Sequence, residues 1–234
     1  MPRPFKLIET VETDVGPLEL HQRGERDFMI LDRGQVLMTT VVQGSEVELG
    51  QVACAHVRER KRVRVLVGGL GLGFTLRAVL DNLPKDAEVV VAELNEVVVK
   101  WCRGPLAVPT GQSLADPRVQ VIVGNVADVI RDAIEQKQRP FDAIIWDLYR
   151  GPAGPKSGRL DPLYGVASIQ RVLRALSDAG VFAVWGETED PSFTARLQQC
   201  GFHVKQTRST AKGAKSALYL ALAQSRGSAN LSRS

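Results

Sequence analysis

Four short apolar runs in this chain each end in a group able to do chemistry. Val63-Arg64-Val65-Leu66-Val67 runs into Gly68-Gly69-Leu70-Gly71-Leu72-Gly73. Val89-Val90-Val91-Ala92 ends in Glu93-Leu94, Val119 to Val123 in Gly124-Asn125-Val126, and Phe141 to Trp146 in Asp147. A turn this rich in glycine lets backbone approach a ligand closely. An acid closing the next strand can accept both hydroxyls of a ribose. Asn125 can accept and donate at once, which suits the edge of an adenine, and it can also cap the helix that begins at Val126. A carboxylate at the end of an apolar strand, as at Asp147, needs a cation or an amine to offset its desolvation. Together these residues predict a nucleoside with an amine-binding position beside it.

The spacing of the glycines narrows the nucleoside. The dinucleotide fingerprint is G-x-G-x-x-G, whose third Gly allows close packing of helix on strand. Read from Gly71, that third position is Leu76. Read from Gly69 the pattern is G-x-G-x-G, the spacing usual where S-adenosylmethionine or a relative binds, with no pyrophosphate to cradle. Glu93, twenty residues after Gly73, strengthens this reading.

These residues need elements to hold them. From residue 63 onward strands and helices alternate, the signature of a doubly wound, mostly parallel α/β sheet. Seven strands are expected: 63–67, 89–92, 119–123, 141–146, 180–185, 201–208 and 216–223. Ligands of such sheets sit outside the carboxyl ends of the strands, where all four groups converge. Ahead of the sheet, Leu7–Val11, Leu18–His21, Phe28–Leu31 and Val36–Thr39 read as two hairpins, a small antiparallel unit with turns at Asp14-Val15-Gly16-Pro17 and Asp32-Arg33-Gly34. Ser45 and Glu48 have the spacing of a capping box opening a helix over 45–58. Further helices are expected after the glycine turn, over the segment of Val97, Val98 and Trp101, after Asn125, over Leu163–Leu176 and near 191–200. The 148–162 connection is long enough to be a functional lid, bracketed by Tyr149 and Tyr164 as pocket walls. The domain reading is 1–44 for the β unit, 45–223 for the nucleoside-binding part and 224–234 for a disordered tail.

Composition bounds the rest. At 234 residues, 44% hydrophobic and 24% charged, the chain is an ordinary globular protein with a sizeable core. A net charge of +4 does not argue for nucleic acid. The run Arg58-Glu59-Arg60-Lys61-Arg62 reads as a solvated helix end. Cys54, Cys102 and Cys200 are widely spaced, and the three histidines lie apart, so neither a disulfide framework nor a metal site is suggested. With no apolar run of membrane length and no signal-peptide pattern, the expectation is a cytoplasmic protein without membrane contact.

From about residue 5 to residue 223 the chain resembles the spermidine synthase family of polyamine aminopropyltransferases. Gly68–Gly73 is similar to its turn G-G-G-D-G-G, and Glu93 to its ribose-binding acid. Gly124-Asn125-Val126 is similar to its adenine-contacting segment, Phe141–Asp147 to its strand Y-D-V-I-I-x-D, Gly151-Pro152-Ala153 to its G-P-A, and Trp185-Gly186-Glu187 to the end of its fifth strand. The resemblance implies a class I methyltransferase-like fold and transfer of an aminopropyl group from decarboxylated S-adenosylmethionine to an amine. It implies cofactor contacts from Gly68, Gly69, Gly71, Gly73, Glu93, Leu94, Asn125, Val126 and Asp147, with Asp147 as base and no metal. Tyr149, Arg150 and Tyr164 are the expected acceptor contacts. The N-terminal strands can pair between subunits, as in the family, to form a homodimer. Three positions depart from the pattern: Gly71 replaces the acid of the glycine turn, Arg150 replaces the second acid of D-S-S-D, and Asn125, a milder change, replaces the Asp before the adenine. An arginine at 150 favours an anionic group over a polyamine. Two alternatives follow: a methyltransferase using S-adenosylmethionine itself, and a nucleoside-binding homologue without catalysis.

Overall fold

The computed structural model describes residues 4–13, 16–149, 151–153, 161–211 and 215–224. Arg150, most of the 154–162 part of the predicted lid, Asp14 and Val15 of the first turn, and all but the first residue of the 224–234 tail lie outside the described residues.

Four strands form the leading sheet: β1 (Lys6–Thr13), β2 (Gly16–Arg23), β3 (Asp27–Asp32) and β4 (Gln35–Thr39), paired antiparallel in chain order. Alternation puts Leu18 and Leu20 of β2 and Phe28 and Ile30 of β3 on one buried face. That face joins one hydrophobic cluster with Leu70, Leu72, Leu76 and Val98. Burial of each of these four side chains contributes roughly 1.5–3 kcal/mol, which fastens the hairpins over the glycine turn.

The helix α1 (Gly44–Ala55) leads into the large sheet. Its parallel strands are β5 (Arg64–Gly68), β6 (Glu88–Glu93), β7 (Val119–Val123), β8 (Phe141–Trp146) and β9 (Leu176–Gly186). The antiparallel strands β10 (Phe202–Arg208) and β11 (Ala217–Ala223) complete a seven-stranded order β10-β11-β9-β8-β5-β6-β7. This is the methyltransferase-like arrangement that the alternation of strands and helices predicts. The helices α2 (Phe74–Asn82), α3 (Glu96–Arg103), α4 (Val126–Glu135), α5 (Val166–Ala175) and α6 (Pro191–Gln199) connect the strands. One core, with α1, α2 and α3, covers one face; a second, with α4, α5 and α6, covers the other. All of β5 is buried, so it reads as a continuous apolar run rather than an alternating one.

Strand order reverses at β5, which has β6 on one side and β8 on the other. The crevice that opens there is the switch point of the sheet. Below it, at the amino ends of the strands, Arg58, Glu59, Lys61 and Arg62 of the basic run are exposed, as expected, while Arg60 of the run and Arg64 just inside β5 are tied down. Arg60 Nη1 donates to Asp142 Oδ1 at 2.8 Å, and Arg64 Nε to Glu88 Oε1 at 2.8 Å.

Three local expectations are corrected. Ser45 and Glu48 do not form a capping box: Gln43 is the N-cap of α1, without a side-chain cap bond, because both side chains bond elsewhere in the fold. The helix expected from Leu163 starts at Val166, since Pro162–Tyr164 forms a separate 3-10 turn capped by Asp161, and Gly165 is extended. The fifth strand begins at Leu176 rather than Gly180, because Leu176 pairs with Phe141.

Candidate active site

Backbone first brings the strand ends together. Gly69 N donates to Ala92 O, and Asp147 N to Gly68 O, each at 2.9 Å. Gly69 has φ +87°, and a Cβ there would lie 2.3 Å from the carbonyl oxygen of Asp147. Only glycine lets the turn and the end of β8 approach this closely. Gly68 is pressed against Val126 and Trp146, and Gly73, at φ +87°, is the N-cap of α2.

Glu93 is buried at the end of β6. Its Oε2 accepts from Leu70 N at 2.8 Å, and its Oε1 from Asn95 N at 2.9 Å. The carboxylate thus staples the glycine turn to its own strand end. Each oxygen keeps a lone pair that a ribose hydroxyl can use. Asn125 Oδ1 accepts from Ala127 N at 2.9 Å and so caps α4. Its amide group remains at the mouth of the crevice.

Asp147 is held from the side by Thr75, whose Oγ1 lies 2.6 Å from Asp147 Oδ2 and 3.2 Å from the carbonyl oxygen of Glu46. Burial pushes the Asp147 carboxyl up to about 7; the negative charge of Glu46 adds to this, and the Thr75 bond opposes it. A carboxyl near neutrality beside an open cavity suits proton transfer.

These groups line one cavity of about 450 Å³, in the range of small-molecule sites. Gly69, Gly71, Glu93, Leu94, Asn125, Val126, Asp147 and Tyr149 line it, under a roof of Leu18, Ile30, Leu37 and Met38 from the leading sheet. A smaller recess of about 80 Å³ adjoins it, sharing Met38, Gly71, Asp147 and Tyr149 and adding Glu46, Gly73 and Trp185. Among the described residues the charges lining both are all carboxylates: Asp32, Glu46, Glu93, Asp147 and Asp161.

Two expected contacts behave differently. Tyr149 is exposed at the rim of both cavities. Tyr164 is not on a pocket wall: it is 1% exposed and stacked edge-on against Trp146 and Phe193, in the core beneath the site. The cause is the short 3-10 turn, which aims its ring inward. The third expected contact, Arg150, lies outside the described residues. Sequence reasoning missed Glu46, Asp32 and Asp161. Asp161 was detectable as an Asp-Pro helix cap, but nothing local in the sequence places Glu46 beside Asp147.

No family model matches the chain. The polyamine aminopropyltransferase of Clostridium tetani is 33% identical over 134 residues, 57% of this chain and 43% of that protein. That of Mycobacterium tuberculosis is 34% identical over 120 residues, 51% of this chain and 22% of that protein. Polyamine aminopropyltransferase 1 of Hyperthermus butylicus is 33% identical over 129 residues, 53% and 43% of the two chains. The matched stretch therefore spans less than half the length of each relative. In structure, spermidine synthase from Thermotoga maritima matches with a TM-score of 0.69 and 21% identity, over 92% of this chain and 72% of that one. A spermidine synthase in complex with the transition-state analogue AdoDATO matches with a TM-score of 0.68 and 20% identity, over the same shares. No helix among the described residues is long and apolar enough to cross a membrane. The resemblance read from the motifs is the one that sequence and structure comparisons both find: the chain is similar to polyamine aminopropyltransferases over about half its length, and has the fold of spermidine synthases.

Proposed function

We propose that the protein is an aminopropyltransferase that takes a cationic sulfonium nucleoside, decarboxylated S-adenosylmethionine, as donor and an aliphatic amine as acceptor. The observation that carries this reading is the charge of the site. Every described charged residue lining the two cavities is a carboxylate. A donor with a sulfonium and an ammonium matches that field, whereas the methionine carboxylate of S-adenosylmethionine meets only like charge there. The glycine turn approaches the nucleoside, Glu93 takes the ribose hydroxyls, and Asn125 with Leu94 and Val126 frames the adenine.

The step needs no metal. The neutral acceptor amine attacks the propyl carbon next to the sulfonium. A C–N bond forms, the C–S bond breaks, and its electron pair leaves with methylthioadenosine. The proton lost by the attacking nitrogen passes to the Asp147 carboxylate and then to water. Thr75 orients that carboxylate, and alignment of amine and donor in the crevice supplies much of the acceleration.

Methyl transfer from S-adenosylmethionine is the second reading. It needs a cation for the donor carboxylate, and Arg150 is the nearest candidate in sequence. A binding protein without catalysis is less well supported, because Asp147 lines both cavities rather than facing away. The proposal extends to a cytoplasmic setting, in keeping with three unpaired buried cysteines, and to a homodimer, which sedimentation would test. Calorimetry with decarboxylated S-adenosylmethionine, S-adenosylmethionine and methylthioadenosine decides the reaction class. The decarboxylated donor is expected to bind tightest; tighter binding of S-adenosylmethionine would assign methyl transfer instead.

A further inference from the structure

The first turn of α1 carries a carboxylate that the proposed chemistry has not yet used. Glu46 projects into the small recess that also contains Gly71, Asp147 and Trp185. It is held there. Trp185 Nε1 donates to Ser45 Oγ at 3.2 Å, and Ser45 Oγ donates to Glu46 Oε2 at 2.7 Å. Thr75 spans from Asp147 Oδ2 to the Glu46 carbonyl oxygen, so the end of β8 and the start of α1 are fixed side by side. No salt bridge to Glu46 is formed among the described residues.

We infer that Glu46 is a specificity-determining residue that, with Asp147, receives the ammonium of the donor's propyl chain in the recess beside Gly71, and so selects the decarboxylated donor. This rests on the aminopropyl-transfer reading above. Its size fits: a recess of about 80 Å³ holds a short alkylammonium and not a whole nucleoside. Its position fits, since it adjoins the larger cavity through Gly71 and Asp147. Two carboxylates facing one small space repel each other, and a cation between them removes that cost. A zwitterionic methionine chain would place its carboxylate against the pair and be rejected.

Gly71 provides an independent handle. It has φ +51°, a region that aspartate tolerates better than most side chains, and a Cβ there points at Met38 Sδ, 3.0 Å away, within the same recess. An aspartate at 71 therefore offers the recess a second source of carboxylate, with the flexible Met38 tip moving aside.

The test is calorimetric titration of methylthioadenosine and of decarboxylated S-adenosylmethionine into the wild type, Glu46→Gln and the double variant Glu46→Gln, Gly71→Asp. Methylthioadenosine lacks the propylammonium and reports the nucleoside cavity alone. Glu46→Gln is expected to bind it within about twofold of wild type, while losing roughly tenfold or more for the decarboxylated donor, the range for a charge-assisted hydrogen bond. The double variant is expected to regain much of that loss. An unchanged ratio of the two affinities in Glu46→Gln overturns the assignment of Glu46 and leaves the aminopropyl-transfer reading standing. Intact methylthioadenosine binding without recovery in the double variant removes the recess as the ammonium position. A wild type that binds neither ligand overturns the reading itself, and the inference with it.

Discussion

Asp147 is where charge, burial and proposed chemistry meet. Its carboxyl is raised to about 7, chiefly by burial and next by the charge of Glu46. In the free protein, kcat/KM is expected to rise with pH through about 7 as this base ionises. Asp147→Asn keeps the acceptor for Thr75 but cannot take a proton. It is expected to bind methylthioadenosine nearly normally and to lose at least ~100-fold in turnover, together with the limb near pH 7. Turnover within a few-fold of wild type would make Asp147 an anchor for its loop. The same group makes a stability prediction. The folded protein holds this proton more tightly than the unfolded chain, so its contribution is full below about pH 4 and lost as pH rises through about 7. Asp147→Asn should match wild type near pH 4 and exceed it near pH 8 by up to about 4 kcal/mol, read from denaturant melts at both pH values. Tyr164 belongs to the same scale with the opposite expectation. Its hydroxyl is buried, with no hydrogen-bond partner among the described residues. Tyr164→Phe should leave turnover unchanged and stability equal or higher by about 1 kcal/mol, since an unpaired polar group is removed. A large loss of turnover would return Tyr164 to the acceptor pocket.

At the scale of elements, α1 shows what local patterning can and cannot reveal. Ser45 and Glu48 have capping-box spacing, yet the fold uses both in contacts between distant segments. Ser45 links Trp185 to Glu46. Glu48 accepts from Ser209 Oγ, Thr210 N and Thr210 Oγ1, tying the β10–β11 connection to α1. Both partners lie more than a hundred residues away, so no window of sequence contains them. Glu48→Ala is expected to destabilise by roughly 1–3 kcal/mol, the cost of unpairing a charged acceptor's partners, without changing methylthioadenosine affinity. A ΔΔG near zero in urea melts would contradict that anchoring role. Elements whose signals are local were legible. The glycine turn, the acid closing β6, the cap at Asn125 and both N-terminal hairpins depend on near neighbours and on periodicity. The start of α5 was misplaced because a helical pattern continues through Pro162–Tyr164, although Gly165 separates a short 3-10 turn from the helix.

For the whole molecule, strand order turns these local pieces into one site. The chain is basic overall, with a net charge of +4, but the charge is sorted. Arg60, Arg64 and Arg139 gather at the amino ends of the strands, paired with Asp142 and Glu88. Carboxylates gather at the carboxyl ends around the crevice. Net charge gave no hint of that sorting, which only the parallel order and its reversal at β5 create. The fold class was therefore readable from alternation of strands and helices, whereas the donor preference was not. In sequence, Gly71 lacks the acid of the resembled turn and Arg150 favours an anionic group; the acid proposed to answer Gly71 comes from α1, outside every motif. The most direct test of the account follows product. The protein is incubated with an aliphatic diamine and either decarboxylated S-adenosylmethionine or S-adenosylmethionine, and both nucleoside and amine products are identified by mass spectrometry. The account predicts methylthioadenosine and an aminopropylated amine from the decarboxylated donor. S-adenosylhomocysteine with a methylated amine, and no methylthioadenosine above a heat-denatured control, would contradict it.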